Sequence, residues 1–179
     1  LLTIIFYQSP LLSQSNSFKD FKSTNLSKYF SGIVAYENKD NTNALNYFNS
    51  AKILINKHDP YLKRLVMSLV LEDKTTQAIN LLKINSKKSN SDFFEAYILL
   101  ALENLKKNNI YKALEILNEI PDYLKKNRFD FITFYSLKQY AFVFKNKMIP
   151  QEKENFGQLS LITETFQRCY LRDKKTNSF

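Results

Sequence analysis

The chain is poor in the residues that interrupt helices or carry out catalysis. Its 179 residues include two glycines, four prolines, one cysteine, one histidine and no tryptophan. So few glycines and prolines argue against a turn-rich β-sandwich or a long disordered linker, and favour helices. Because Cys169 is alone, neither an internal disulfide nor a cysteine-based zinc site can form from this sequence. We expect Cys169 to be a small buried hydrophobic residue rather than a reactive thiol.

The scarcity of these residues also bears on chemistry. His58 has no second histidine with which to bind a metal ion, so we interpret it as a turn residue before a helix. With only Gly32 and Gly157 present, no glycine-rich phosphate loop or Gly-x-Ser-x-Gly elbow can be built. The sequence therefore predicts no catalytic residue, no metal site and no cofactor, and we expect the chain not to be an enzyme.

Positive charge is abundant and comes almost entirely from lysine. The net charge is +9, and arginine accounts for only four of the 26 basic residues. Lysine pairs fall near predicted helix ends, where cations complement the helix dipole. Proteins that recognise nucleic acid rely on arginine forks and clusters, so a solvated surface is favoured and nucleic-acid binding is the alternative. The lysine pairs are Lys87-Lys88, Lys106-Lys107, Lys125-Lys126 and Lys145/Lys147.

The stretch DPYLKRLVMSLVLEDKTTQAINLLKI, residues 59–84, predicts two helices joined by a tight turn. Asp59 is a good N-cap, and Pro60 suits the first helical position. Glu72-Asp73-Lys74 interrupts the apolar pattern, and Thr75 can cap the second helix. One αα-hairpin cannot bury both of its faces, so it needs neighbours. The apolar stripe of the first helix consists of Leu62, Leu65, Val66, Leu69 and Val70.

The same hairpin pattern recurs along the chain. Ala44, Ala78 and Ala113 are 34 and 35 residues apart, and each opens a short helix after a polar turn. A large apolar residue follows four positions later in each case. A fixed period of this length is typical of a helical solenoid. The apolar residues are Phe48, Leu82 and Leu117.

In this spacing of small and large apolar residues, the chain resembles tetratricopeptide (TPR) repeats. The resemblance implies an all-α fold, a right-handed superhelix (α-solenoid) of antiparallel helix pairs over 25–171, with repeats at about 25–58, 59–91, 92–127 and 128–171. The polar tail 172–179 lies beyond them. Departures from the family pattern are Lys28, Val66, Asn85 and Ile120. Matches are Gly32, Ala44, Phe48 and Ala51; Leu65, Ala78 and Leu82; and Tyr97, Leu100, Ala101, Ala113 and Leu117.

Local signals place the other helices. In the first repeat we expect helices over 26–38 and 41–56, and in the third a capping box of Asp92 and Glu95 before a helix that ends near Lys107. Pro121 follows the next helix, over 110–119, and a strongly aromatic helix over 128–145 opens a fourth repeat. Pro150 is expected to start the last helix, which continues to Leu171 with Gly157 as a weak point.

The resemblance also implies a binding groove, because TPR proteins bind peptides or helices along the first helix of each repeat. The partner that this groove implies is a protein or a peptide, and the groove surface that binds it is mainly apolar. A further helix that simply covers this surface is the alternative. The family's carboxylate clamp does not carry over, since Tyr29 and Ile33 replace its lysine and asparagine. The groove residues are Tyr29, Ile33, Tyr36, Lys63, Met67, Val70, Glu95, Ile98 and Leu102.

The N-terminal residues 1–24 are interpreted as a truncated signal peptide and a flexible segment. The apolar run LLTIIFY is too short to span a bilayer, and Ser13-Gln14-Ser15 offers a small-x-small cleavage site. An N-terminal helix packed on the first repeat is the alternative. The order of features resembles exported bacterial TPR proteins, so we expect a periplasmic or cell-envelope location, or otherwise a cytoplasmic one. The chain is expected to be a fragment, and a repeat appendage of an enzyme is a second alternative function.

Overall fold

The computed structural model describes residues 22–86, 89–151 and 153–173, and in these ranges the regular structure is entirely helical. The signal-peptide interpretation falls largely outside them, as do Lys87-Lys88 and most of the polar tail. Three short 3₁₀ turns accompany eight α-helices in the described residues. The α-helices are α1 (Ser23–Glu37), α2 (Asn41–Ser50), α3 (Asp59–Leu71), α4 (Thr75–Asn85), α5 (Phe94–Lys106), α6 (Ile110–Asn118), α7 (Arg128–Asn146) and α8 (Gln158–Leu171).

Neighbours in sequence are neighbours in space. Each helix from α1 to α7 packs against the one that follows it in the chain, and α1 also contacts α3 just as α5 contacts α7. The pairs α1–α2, α3–α4 and α5–α6 are joined by tight turns and form three αα-hairpins. The expectation of an all-α chain is therefore confirmed for the described residues.

Helix α3 shows how sequence and packing agree. Four residues of its predicted stripe, from Leu62 to Leu69, are buried in the core, and Val70 packs against the same core. Pro60 lies in the first turn, where its missing N–H breaks no helical hydrogen bond. The expected N-cap is wrong by one residue: His58 occupies the cap position with extended backbone, and Asp59 begins the helix.

The three hairpin turns share one backbone geometry. Lys39, Asp73 and Asn108 all adopt the left-handed conformation, with φ of 61°, 56° and 60°. The next residue in each turn donates a backbone hydrogen bond to a carbonyl five residues earlier, at 2.8–2.9 Å, as Asp40 does to Ala35. These turn residues are 34 and 35 residues apart, as are the three alanines. The repeat seen in the sequence is thus also a repeat of backbone structure.

Small residues let the helices of each hairpin approach closely. Ala44, Ala78 and Ala113 are all completely buried. In α1 the close approach needs glycine, because a Cβ on Gly32 would lie 2.7 Å from Cε1 of Phe48. The large residues expected opposite, Phe48, Leu82 and Leu117, are buried as well.

The buried residues form two cores that meet at α5. The first core gathers side chains from α1 to α4, and the second gathers side chains from α5 to α7. Phe93, the N-cap of α5, and Ala96 belong to the first core, whereas Phe94 and Ala101 belong to the second. Helix α5 is therefore the element that both cores share.

Other local predictions are also wrong, including the cap at Thr75, because Lys74 occupies the cap position of α4. The second helix of the first repeat ends at Ser50 and continues only as a 3₁₀ turn, Lys52–Asn56. Asp92 does not cap α5, because its carboxylate accepts hydrogen bonds from the hydroxyls of Tyr97 and Tyr123 instead. The last helix begins at Gln158, after Gly157, and not at Pro150.

Helix α8 differs from its predicted role in the face that it buries. Cys169 is exposed, so the expectation of a buried cysteine is wrong. The polar Thr163 and Gln167 are buried, while the apolar side chains expected to cap the fold are exposed. These exposed side chains are Leu159, Leu161, Ile162, Phe166 and Tyr170.

Candidate functional site

Helices α1, α3 and α5, the first helices of the three hairpins, are joined across one surface, which we call the A-helix face. Nη1 of Arg64 on α3 lies 3.2 Å from Oε1 of Glu37 on α1. Nζ of Lys63, also on α3, lies 2.8 Å from Oε1 of Glu95 on α5. Two adjacent residues of α3 therefore link it to both neighbours, and partly exposed ion pairs of this kind each contribute about 0–1 kcal/mol.

Tyr29, predicted to line the groove, lies in the core instead. Its side chain is 4% exposed. Its ring packs edge-on against His58 at 4.8 Å between centroids, and against Phe48 and Tyr61 at 5.8 and 5.9 Å. Burial raises the pKa of the Tyr29 hydroxyl. Tyr29 therefore supports the first hairpin from within and offers no surface to a partner.

The apolar groove residues lie at the edge of the cores, with one side packed and the other accessible. Ile33, Tyr36 and Val70 pack against the first core, and Ile98 packs against the second. Met67, on α3, is half-buried as well. Such side chains are partly packed before any partner arrives, so they have less rotamer freedom to lose on binding.

Arg64 is a residue of the A-helix face that sequence reasoning missed. Its guanidinium lies 5.1 Å from the ring centroid of Tyr36, in cation–π geometry, while the same group pairs with Glu37. It therefore packs on the ring of Tyr36 at the surface. Arg64 and Glu37 are 27 residues apart in the chain, so no local spacing could have revealed their contact.

In the ion pair of Lys63 and Glu95 on the A-helix face, only one of the two carboxylate oxygens has a partner in the described part of the chain. Lys63 pairs with one carboxylate oxygen of Glu95 and also lies 5.8 Å from the Phe93 ring centroid. The other oxygen, Oε2, is buried without a hydrogen-bond partner among the described residues. A buried carboxylate oxygen without a donor is costly, so this oxygen of Glu95 destabilises the face locally.

Leu102 is the most exposed of the predicted groove residues that are apolar, at 43%. It lines a cavity of about 470 Å³ between α4 and α5. Glu103 also lines this cavity, and its carboxylate lies 2.7 Å from Nζ of Lys83 and 2.6 Å from Nζ of Lys107. Hydrogen bonds from Lys107 and Lys83 lower the pKa of Glu103.

A second polar cluster lies where the third hairpin begins. Asp92 accepts hydrogen bonds from the hydroxyls of Tyr97, at 2.7 Å, and of Tyr123. Burial, together with the hydrogen bond to Asp92, raises the pKa of Tyr97 to about 12. These hydrogen bonds connect the start of α5 to the segment that follows α6. We therefore interpret the cluster as structural rather than as a binding site.

Neither metal-binding clusters nor membrane-spanning helices occur in the described residues. No group of three or more histidine, cysteine, aspartate or glutamate side chains there is placed to hold a metal ion. Over the same ranges, no helix combines the length and the apolar character needed to cross a membrane.

The structure thus leaves eight of the nine predicted groove residues exposed or half-buried on α1, α3 and α5, and assigns Tyr29 to the core.

Comparisons with known proteins identify no family for this chain. No protein-family model matches it, and neither the curated proteins nor the solved structures include a match.

Proposed function

We propose that this chain is a TPR-like scaffold, a right-handed superhelix of helix hairpins that binds a peptide or a helix of a partner protein on its A-helix face. The observation that carries the proposal is the threefold recurrence of one hairpin. The left-handed turn residue and the buried alanine recur together at 34 and 35 residues. Repetition of this kind produces an extended surface from the first helix of each unit.

The proposed mechanism is passive binding to a preformed surface. Tyr36 is held by Arg64, and Met67 lies on the adjacent helix, so both present contact area without a change in the backbone. Methionine and tyrosine provide large contact area and adapt to different partners. Charges at Lys63 and Glu95 border this apolar centre and favour one orientation of a partner over another.

A pull-down experiment tests the proposal. The full chain is used as bait against envelope and soluble extracts, next to the double variant Tyr36→Ala, Met67→Ala. The matched control is Ile84→Ala, Tyr111→Ala, which removes similar apolar area from exposed positions on α4 and α6. We expect a partner that the wild type and the control retain and the groove variant loses. Equal retention by all three proteins would show that the A-helix face is not the binding site.

Two expectations from the sequence accompany this proposal. Export to the cell envelope is tested by fractionation and by sequencing the N-terminus of the mature protein. Nucleic-acid binding, the alternative suggested by the charge of +9, predicts a mobility shift that weakens steeply with added salt. Lys63, Lys83 and Lys107 already form ion pairs with carboxylates, which reduces the positive charge available to phosphates.

A further inference from the structure

The seams between successive hairpins, α2 against α3 and α4 against α5, occupy equivalent places in the repeat. At the first seam, Oγ1 of Thr42, in the first turn of α2, donates a hydrogen bond of 3.0 Å to Oε1 of Glu72, at the end of α3. A hydroxyl donor thus meets a carboxylate acceptor, and the pair closes that end of the seam.

At the second seam the acceptor is replaced by a donor. The period of 34 and 35 residues that relates the turns places Thr76 where Thr42 stands and Lys107 where Glu72 stands. An ammonium group cannot accept a hydrogen bond from a hydroxyl. Lys83 on α4 and Glu103 on α5 bridge this seam instead, while both Thr76 and Lys107 line the cavity of 470 Å³ described above. We call this cavity the α4–α5 cleft; its lining is Thr75, Thr76, Ile79, Leu99, Leu102, Glu103, Lys106 and Lys107.

The cleft carries an excess of positive charge. Glu103 is the carboxylate of its lining, and it is already shared by Lys83 and Lys107. Both oxygens of the Glu103 carboxylate are engaged by these two lysines, whose hydrogen bonds lower its pKa. Lys106 adds a further cation, so the lining holds two ammonium groups and one carboxylate, and Lys83 binds that same carboxylate from beside the cleft. The charge that complements such a site is negative.

The rest of the lining is largely apolar. Ile79 is buried, Leu99 is half-buried, and Leu102 is exposed. A volume of 470 Å³ falls in the range of about 300–1,000 Å³ that is usual for ligand sites, and it admits a large apolar side chain. Leu102 also belongs to the A-helix face, so the cleft continues that surface.

We propose that the α4–α5 cleft binds an acidic peptide segment in which a large apolar side chain lies next to a carboxylate. The apolar side chain contacts Ile79, Leu99 and Leu102. The carboxylate accepts from the hydroxyl of Thr76 and from a lysine ammonium, and so supplies the acceptor that Glu72 supplies at the first seam. This inference rests on the proposed scaffold function and adds the chemistry and the place of the partner.

Selection from a displayed library of random dodecapeptides tests this proposal with the full chain as target. Enriched peptides are then measured against Thr76→Val and Lys106→Gln, with Lys52→Gln as the control that removes one exposed lysine outside the cleft. A charge-assisted hydrogen bond is roughly twice as strong as one between neutral groups. We therefore expect enriched peptides that pair Asp or Glu with Leu, Ile or Phe, with affinity about tenfold lower for Lys106→Gln and unchanged for Lys52→Gln.

Four results would overturn the proposal. The first is enrichment of neutral or basic peptides. The second is equal binding by the cleft variants and the control, where circular dichroism shows that all variants have the same helicity and are folded. Peptides lost by Tyr36→Ala, Met67→Ala but retained by both cleft variants would refute the cleft while supporting the scaffold function. The absence of any enriched peptide would also refute the cleft, and the pull-down experiment then decides the scaffold function separately.

Discussion

Replacing Gly32 by alanine tests whether the first hairpin is held together by close packing of α1 on α2. The added Cβ would lie 2.7 Å from Cε1 and 2.8 Å from Cδ1 of Phe48, well inside van der Waals contact. The Phe48 ring is completely buried, with the rings of Tyr29 and Tyr61 at 5.8 and 6.3 Å, so it has little room to move. Overpacking of this kind costs about 1–3 kcal/mol.

Helix propensity acts in the opposite direction. Alanine in a helix interior is more favourable than glycine by about 1 kcal/mol. The two effects leave a net loss of about 1 kcal/mol for Gly32→Ala, from the midpoint of the overpacking range. Leucine in Phe48→Leu lacks the Cε1 and Cζ atoms that make two of the three close contacts, so in that background Gly32→Ala should stabilise by up to about 1 kcal/mol. The sign of the effect therefore reverses with the residue at position 48.

A double-mutant cycle measures this coupling. The four proteins are unfolded in urea and followed by circular dichroism, with Ser27→Ala at an exposed position of α1 as the control for helix propensity. We expect a coupling free energy of about 2 kcal/mol between positions 32 and 48, within the range seen for residues in contact. If Gly32→Ala stabilises the wild-type background as much as the Phe48→Leu background, the packing explanation is wrong.

Two further predictions concern a turn and an ionised group. Lys39→Gly should raise the free energy of unfolding by about 1 kcal/mol, because lysine at positive φ is strained and glycine is not. Asn108→Gly should raise it by less, since asparagine tolerates this conformation better. Thermal unfolding of both variants checks this, and an equal gain would contradict it. Glu103→Gln should lower stability at neutral pH, because hydrogen bonds from Lys107 and Lys83 lower the pKa of Glu103 in the folded chain. That contribution is present above the unfolded pKa and is lost as the pH falls through the lower folded value, so the difference from wild type, measured by urea unfolding, should shrink on acidification. A difference that stays constant with pH would refute the assignment.

The regular parts of the fold could be predicted because their signals are local. The stripe of α3 and the recurrence of Ala44, Ala78 and Ala113 depend on residues within one helix or one turn, and the structure confirms both the burial and the period. Helix period and small-residue spacing are properties that a single sequence shows directly.

Two of the errors arise where residues distant in the sequence replace the expected local interaction. Asp92 has the right spacing for a cap, but the hydroxyl of Tyr123, from the next connection, binds its carboxylate. Tyr29 fits a groove position by its place in the repeat, yet His58 and Tyr61 enclose its ring. Contacts between residues about 30 apart decide these cases, and the helical period contains no information about them.

The sharing of α5 between two cores has a consequence for cooperativity. Phe93 and Phe94 are consecutive residues, yet each is buried in a different core. If one core unfolds, the start of α5 loses part of its packing. The other core, which packs on the same helix start, is then destabilised as well. A single helix start thus couples the two halves of the chain thermodynamically, so a ligand that stabilises α5 would protect both halves from proteolysis together.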